Sequence, residues 1–104
     1  MAKKIDSGIM HNVKAFVAEV KKHYDVDRVY VFGSYAKGVA KEHSDIDVAV
    51  VLREEEKFED MVNMMKMTHK IDWRLEPHPM HVSDFDGVCT PLAYEVKTTG
   101  VLVA

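Results

Sequence analysis

The sequence holds a single cysteine, Cys89, so no disulfide can close within the chain, and nothing in its cysteine usage points to an oxidising compartment. Long apolar runs are missing as well: none approaches the roughly 20 residues that a membrane-crossing helix needs. Met1-Ala2-Lys3-Lys4-Ile5-Asp6 carries basic residues without the apolar stretch and small-residue cleavage site of an export signal. A cytoplasmic location is the expectation. Excess positive charge is also lacking. The formal net charge is −3, and no basic stripe runs along the chain to neutralise a row of phosphates, which argues against a long nucleic acid as partner. Lys3, Lys4, Lys14, Lys21 and Lys22 gather near the first expected helix, where a solvated helix face accounts for them. With no repeats, low-complexity tracts or Gly/Ser linkers, the 104 residues read as one domain, residues 1–104, around a single core.

What is present has a clear order. Ile9, Val13, Phe16, Val17 and Val20 recur at helical spacing behind Ser7, a capping residue type, and predict an amphipathic helix. Arg28-Val29-Tyr30-Val31-Phe32 is β-branched and aromatic and stops at Gly33, as a strand entering a turn would. Ser34 to Lys37 has room for one helical turn, and Gly38 with Lys41-Glu42-His43-Ser44 reads as a loop. In Asp45-Ile46-Asp47-Val48-Ala49-Val50-Val51-Leu52 a strand puts Ile46, Val48, Val50 and Leu52 on one face and both aspartates on the other. A helix from Glu54 to Met67 follows, with Phe58, Met61, Val62 and Met65 expected to face the core. Ile71-Asp72-Trp73-Arg74-Leu75-Glu76 alternates, which predicts a strand with Ile71, Trp73 and Leu75 inward and Asp72, Arg74 and Glu76 outward, ended by Pro77 and Pro79. Thr90-Pro91 opens a short last helix to about Lys97, Gly100 stops it, and Val101-Leu102-Val103 offers a final strand. The order predicts an α/β (α+β) fold: a small sheet with helices packed on one face.

Two carboxylates two residues apart on a strand project side by side. A third on the same polar face of a neighbouring strand completes a cage of oxygens, the ligand set hard Mg²⁺ prefers. Two such ions a few ångströms apart lower the pKa of an attacking hydroxyl and neutralise a leaving pyrophosphate. Asp45, Asp47 and Asp72 are the candidates for this catalytic and metal-binding role. Gly33 lets the backbone approach a phosphate, Ser34 adds a hydroxyl and amide donors, and Lys37 adds a point charge, so these three, with Arg74, are the candidate nucleotide-binding residues. Arg74 shares a face with Asp72 and is placed either to orient a carboxylate or to meet a phosphate.

The run Asp27-Arg28-Val29-Tyr30-Val31-Phe32-Gly33-Ser34-Tyr35-Ala36-Lys37-Gly38, continued by Ser44-Asp45-Ile46-Asp47-Val48-Ala49-Val50, resembles the DNA polymerase beta superfamily, in particular its minimal nucleotidyltransferase branch. Gly-Ser, ten residues and Asp-x-Asp are met in full, and Ile71-Asp72-Trp73-Arg74-Leu75 is similar to the family's third-carboxylate strand. The resemblance implies that Gly33 and Ser34 hold a nucleoside triphosphate, that Asp45 and Asp47 bind two Mg²⁺ ions, and that Asp72 binds the catalytic one and helps deprotonate the acceptor. It also implies nucleotidyl transfer with release of pyrophosphate. Lys37 stands where many relatives carry arginine, which keeps the charge and loses the bidentate fork. Members of this branch often pair with a helical HEPN-type protein, and some are antitoxins that move AMP from ATP to a tyrosine of that partner. A toxin–antitoxin pair acting by AMPylation is therefore the expected setting.

Two rivals keep the site and change its use: an antitoxin that binds nucleotide or partner without turnover, and transfer to a small molecule such as an aminoglycoside. Crowded carboxylates are costly without a cation, which disfavours the first. His78 and His81, between and beyond two prolines, read as a solvated loop, and His11, His23, His43 and His69 pair with no nucleophile. Trp73 reads as core, and Tyr35, beside the turn, reads as structural with flanking of the nucleotide as its alternative. Base preference is not encoded in any spacing, and self-association through an open sheet edge is left open.

Overall fold

The computed structural model describes residues 5–41, 43–54, 58–87 and 90–104. Cys89, Lys3, Lys4, Glu42 and residues 55–57 at the start of the expected second long helix lie outside them. Helix α1, Ser7–Lys21, buries the same positions that the spacing predicts: Ile9, Val13, Phe16, Val17 and Val20. Its cap is Asp6 rather than Ser7. The Asp6 carboxylate accepts from the N–H groups of Gly8 (3.0 Å) and Ile9 (3.3 Å), so Ser7 becomes the first helical residue.

Strand β1, Val26–Phe32, is followed by the one-turn helix α2, Ser34–Lys37, and by strand β2, Ile46–Leu52. Helix α3 spans Phe58–His69, strand β3 Leu75–His81, helix α4 Val82–Asp86, helix α5 Pro91–Thr99 and strand β4 Val101–Leu102. One mixed sheet orders the strands β3-β2-β1-β4. β1 pairs antiparallel with β2 and β4, and β2 pairs parallel with β3.

Period-2 alternation divides the core between the two sheet faces. Val29, Val31, Ile46, Val48, Val50, Leu52 and Leu75 pack with α1 and with Met64 of α3. Phe32, Ala49, Val51 and Met80, of the opposite parity, pack with Phe85 of α4 and with Ala93 and Val96 of α5. The long helices thus cover one face, and two short ones form a smaller second layer over part of the other. The last helix starts where Thr90-Pro91 predicts, with the Thr90 hydroxyl accepting from the Ala93 N–H at 3.1 Å.

Two local expectations are corrected. Helix α3 buries Met64 and Thr68, while Phe58 is 83% exposed and Val62 and Met65 are also exposed. Two stripes of this helix, Phe58/Val62/Met65 and Met61/Met64/Thr68, run at helical spacing and are apolar but for Thr68, so periodicity alone cannot choose between them. The second stripe leads into Ile71, which packs against the core.

The second correction concerns the third strand. Residues 71–74 are the exit of α3, not a strand: the N–H groups of Ile71 and Asp72 donate to the Thr68 carbonyl at 3.0 and 2.9 Å, and Leu75 N–H donates to Asp72 at 3.1 Å. Trp73, expected in the core, is 68% exposed on this turn. The strand starts at Leu75 and runs through Pro77 and Pro79, each paired with β2 in register. Because β3 is an edge strand and the prolines are two apart, both donor-less nitrogens fall on the side away from β2, where no ladder bond is lost.

Candidate functional site

β1 ends at Phe32, which pairs with Asp47 across the sheet. Gly33 then takes φ 75° and ψ −149°, a conformation open almost only to glycine. A Cβ at this position would collide with the Asp47 carboxylate. The glycine therefore does two things: it turns the chain into α2, and it lets the backbone lie directly against Asp47. Gly38, at φ 74°, closes α2 in the left-handed conformation. Ser34 is half-buried at the head of this turn, and Lys37 is exposed, with its Nζ 3.7 Å from a Glu95 carboxylate oxygen on α5.

Asp47 is joined by residues from β3. The parallel register sets Glu76 opposite Asp47 and His78 opposite Ala49, and Glu76 and His78, two apart, project on the Asp47 face. His78 Nε2 lies 3.3 Å from Asp47 Oδ1 and 3.7 Å from Glu76 Oε1, and one ligand atom from each of the three residues falls within 4.8 Å of the others. Phe32 meets the His78 ring edge-on, with centroids 5.1 Å apart and planes at 63°. Asp45 is exposed just before β2.

The electrostatics are those of partly buried carboxylates crowded around one imidazole. Burial pushes the Asp47 carboxyl above its ordinary range, the hydrogen bond and charge of His78 oppose that, and the charge of Asp45 adds to it. Glu76 is likewise raised, by burial first, then against the pull of His78 by the charge of Asp47 and a hydrogen bond with Asp45. Asp45, Asp47 and Glu76 are thus electrostatically in one site.

Asp72 lies elsewhere. On the turn before β3 it is 9% exposed, and its oxygens accept from Arg74 N–H (3.0 Å), Arg74 Nε (3.0 Å), Arg74 Nη2 (2.8 Å) and Asn12 Nδ2 (3.0 Å). The paired guanidinium is the largest cause that holds its carboxyl down to about 2. The Asp72 oxygens are not among the grouped ligand atoms of Asp47, Glu76 and His78. Arg74 is thus ion-paired with this carboxylate. Its Nη1 also lies 3.4 Å from the Tyr35 hydroxyl on α2, and its carbonyl accepts from Ile46 N–H at 2.8 Å, between the two aspartates.

Sequence reasoning missed Glu76 as a site carboxylate and left His78 in a loop. The signal was there in the same alternation: Asp72, Arg74, Glu76 and His78 share one parity, and two prolines at a spacing of two suit an edge strand as well as a strand end. His81, expected in the same loop, caps α4 instead. Its Nδ1 accepts from Ser83 N–H at 3.2 Å, and its Nε2 lies 3.1 Å from the Arg53 carbonyl oxygen.

Comparison with known proteins places this geometry in a family. The family described as Polymerase beta, Nucleotidyltransferase matches residues 14–104, and the chain belongs to it. A protein of Methanocaldococcus jannaschii, provisionally named a protein adenylyltransferase, is 53% identical over 32 residues, which are 31% of this chain and 37% of that one. The chain thus matches little more than a third of that relative's length. Among solved structures, a provisionally named nucleotidyltransferase from Sulfolobus solfataricus superposes with a TM-score of 0.63 at 25% identity, over 95% of this chain and 87% of that one. A toxin–antitoxin structure with AMP-PNP gives a TM-score of 0.67 at 20% identity, over 91% and 72% of the two chains. A complex of a tri-AMPylated Shewanella oneidensis HEPN toxin with an MNT antitoxin gives 0.62 at 19% identity, over 93% and 71%. The fold is shared with all three. No described helix is long and apolar enough to cross a membrane.

Proposed function

We propose that this chain is a divalent-metal-dependent nucleotidyltransferase that moves AMP from ATP to a hydroxyl of a HEPN-type partner protein. The observation that carries the reading is the pairing of Asp47 with Glu76 across β2 and β3, beside Asp45 and against the backbone of Gly33. In this reading Asp45, Asp47 and Glu76 hold the metal, and Glu76 takes the part that the sequence pattern offered to Asp72. Gly33 and Ser34 hold the triphosphate, with Lys37 at the far end of the same turn. The donor set fits the expected ion: hard oxygens, two of them on carboxylates whose charge is disfavoured until a cation arrives. Bound Mg²⁺ supplies acidification of the attacking hydroxyl and neutralisation of the departing pyrophosphate.

The chain's own residues align the reaction. The acceptor oxygen forms a bond to the α-phosphorus while the bond from that phosphorus to the bridging oxygen breaks, and pyrophosphate leaves with the electron pair. The hydroxyl proton passes to a site carboxylate or to solvent. Gly33 keeps the phosphate turn in contact with Asp47, so the two halves of the site cannot drift apart. The HEPN acceptor is supported by the shared fold with complexes of that kind, one of which holds an AMPylated toxin.

The test is to incubate the purified protein with ATP labelled at the α-phosphate and Mg²⁺, with and without a HEPN-type protein co-purified from the native host. Transfer of the label to the partner, followed by mass, is the expected result. If wild type transfers nothing under either condition, the enzyme reading fails. Transfer to a small molecule and not to the partner would replace the acceptor and keep the chemistry.

A further inference from the structure

We infer that His78 is a direct metal ligand, so that the site takes a mixed nitrogen and oxygen donor set and prefers a divalent transition-metal ion such as Mn²⁺ over Mg²⁺. The inference rests on the metal-binding reading of Asp47 and Glu76 above and adds to it a residue and a selectivity. The distances suit it, because the hydrogen bond between His78 and Asp47 is a long one. Nε2 is 3.3 Å from Asp47 Oδ1 and 3.7 Å from Glu76 Oε1. Charge-assisted N–H···O contacts usually close to about 2.7–2.9 Å, and neither contact does. Two donors bound about 2.1 Å from one ion are about 3.0 Å apart at a right angle and about 3.4 Å apart at a tetrahedral one. The three ligand atoms, all within 4.8 Å of one another, thus already stand near the spacing that one shared ion imposes.

The ring is held for this task. Phe32, the residue before the phosphate turn, packs against its edge, and the parallel pairing with Ala49 fixes the backbone from which it projects. The other histidine of β3 shows the contrast: both ring nitrogens of His81 engage the α4 cap and the Arg53 carbonyl, leaving nothing for an ion. A neutral imidazole nitrogen strengthens binding of Mn²⁺, Co²⁺ or Zn²⁺ much more than of Mg²⁺, which prefers oxygen and holds its waters.

The experiment is electron spin-echo spectroscopy on the whole protein with Mn²⁺ alone, unlabelled and with ¹⁵N-histidine, beside Mn²⁺ and Mg²⁺ titrations of wild type, His78→Gln and Asp47→Asn. Nitrogen modulation that changes with the histidine label and vanishes in His78→Gln is expected, as is a Mn²⁺/Mg²⁺ affinity ratio at least about tenfold smaller in His78→Gln than in wild type. Mn²⁺ bound in an Asp47-dependent way without histidine modulation overturns this inference and leaves the carboxylate reading standing. No Asp47-dependent metal binding at all overturns both. The wild-type spectrum decides the ligand question even where His78→Gln fails to fold.

Discussion

Two carboxylate regions flank the start of β3, and they are built on opposite principles. Asp72 accepts hydrogen bonds from Arg74 and Asn12, is buried, and has its carboxyl held down to about 2. Asp47 and Glu76 face each other and His78, and burial pushes both carboxyls up. The first is satisfied within the protein and has little left to offer a ligand. The second is crowded: its carboxylates share one imidazole and lean on each other's charge. Carboxylates close to the start of β3 are therefore sorted by their partners into one held by a guanidinium and others crowded against each other. The Arg74 carbonyl, bonded to Ile46, links the two regions.

The strongest way to break this comparison is to neutralise one of the crowded groups. Glu76→Gln or Asp47→Asn is expected to lower label transfer by about a thousandfold or more, at the scale of removing a preorganised electrostatic contact to the transition state. Neither should lower the thermal midpoint, because each removes a crowded charge. Asp72→Ala should do the reverse. It takes from Arg74 its carboxylate partner, and breaking a buried pair costs about 3 kcal/mol or more, which for a chain of this size moves the midpoint down by on the order of 10 °C. Calorimetry and transfer assays on the three variants check both halves. If Asp72→Ala keeps full stability but loses transfer while Glu76→Gln does not, the two regions have been assigned the wrong way round.

Gly33→Ala sharpens the same contrast from the other strand. A methyl group at φ 75° meets the Asp47 carboxylate, so both backbone strain and collision fall on the site, at a cost approaching 3 kcal/mol. Transfer should fall with stability, whereas Gly100→Ala, in extended backbone at the end of α5, should lower stability alone through its contact with the Val96 carbonyl. Equal transfer rates in Gly33→Ala and wild type would remove the phosphate turn from the site.

Half of the comparison was legible in the sequence. Gly33 falls where the β-branched run of β1 stops, and the period-2 geometry of β2 sets Asp47 on the face opposite Ile46 and Val48, so both placements are legible from residue order. The segment around Asp72 reads as strand because Ile71, Trp73 and Leu75 alternate whether it is a strand or the exit of a helix. What decides between them is the capture of the Ile71 and Asp72 amides by Thr68, a tertiary outcome of how α3 docks. Pro77 and Pro79 pushed the reading the same way, since a proline ends a central strand but not an edge one, and edge position is a property of sheet order. The α3 face failed for a related reason: with Met61, Val62, Met64 and Met65 in succession, two stripes compete, and only the position of the sheet selects one.

The smallest effect separates the two regions by acid. A carboxyl whose pKa is lower folded than unfolded contributes stability that is complete above the unfolded value and is lost as pH falls through the folded one. For Asp72 those limits are 3.8 and about 2, a difference worth about 2 kcal/mol, all of it present at neutral pH and lost between roughly pH 4 and pH 2. Urea unfolding at steps across that window should show wild type losing stability with this slope. Asp72→Asn should start lower and lack that part of the slope, so the two curves converge toward pH 2. Asp47→Asn should keep the slope, because the Asp47 shift has the opposite sign and its charged form holds no stability to be lost on acidification. Parallel curves for wild type and Asp72→Asn would mean that Arg74 does not hold Asp72 in solution as it does in the fold.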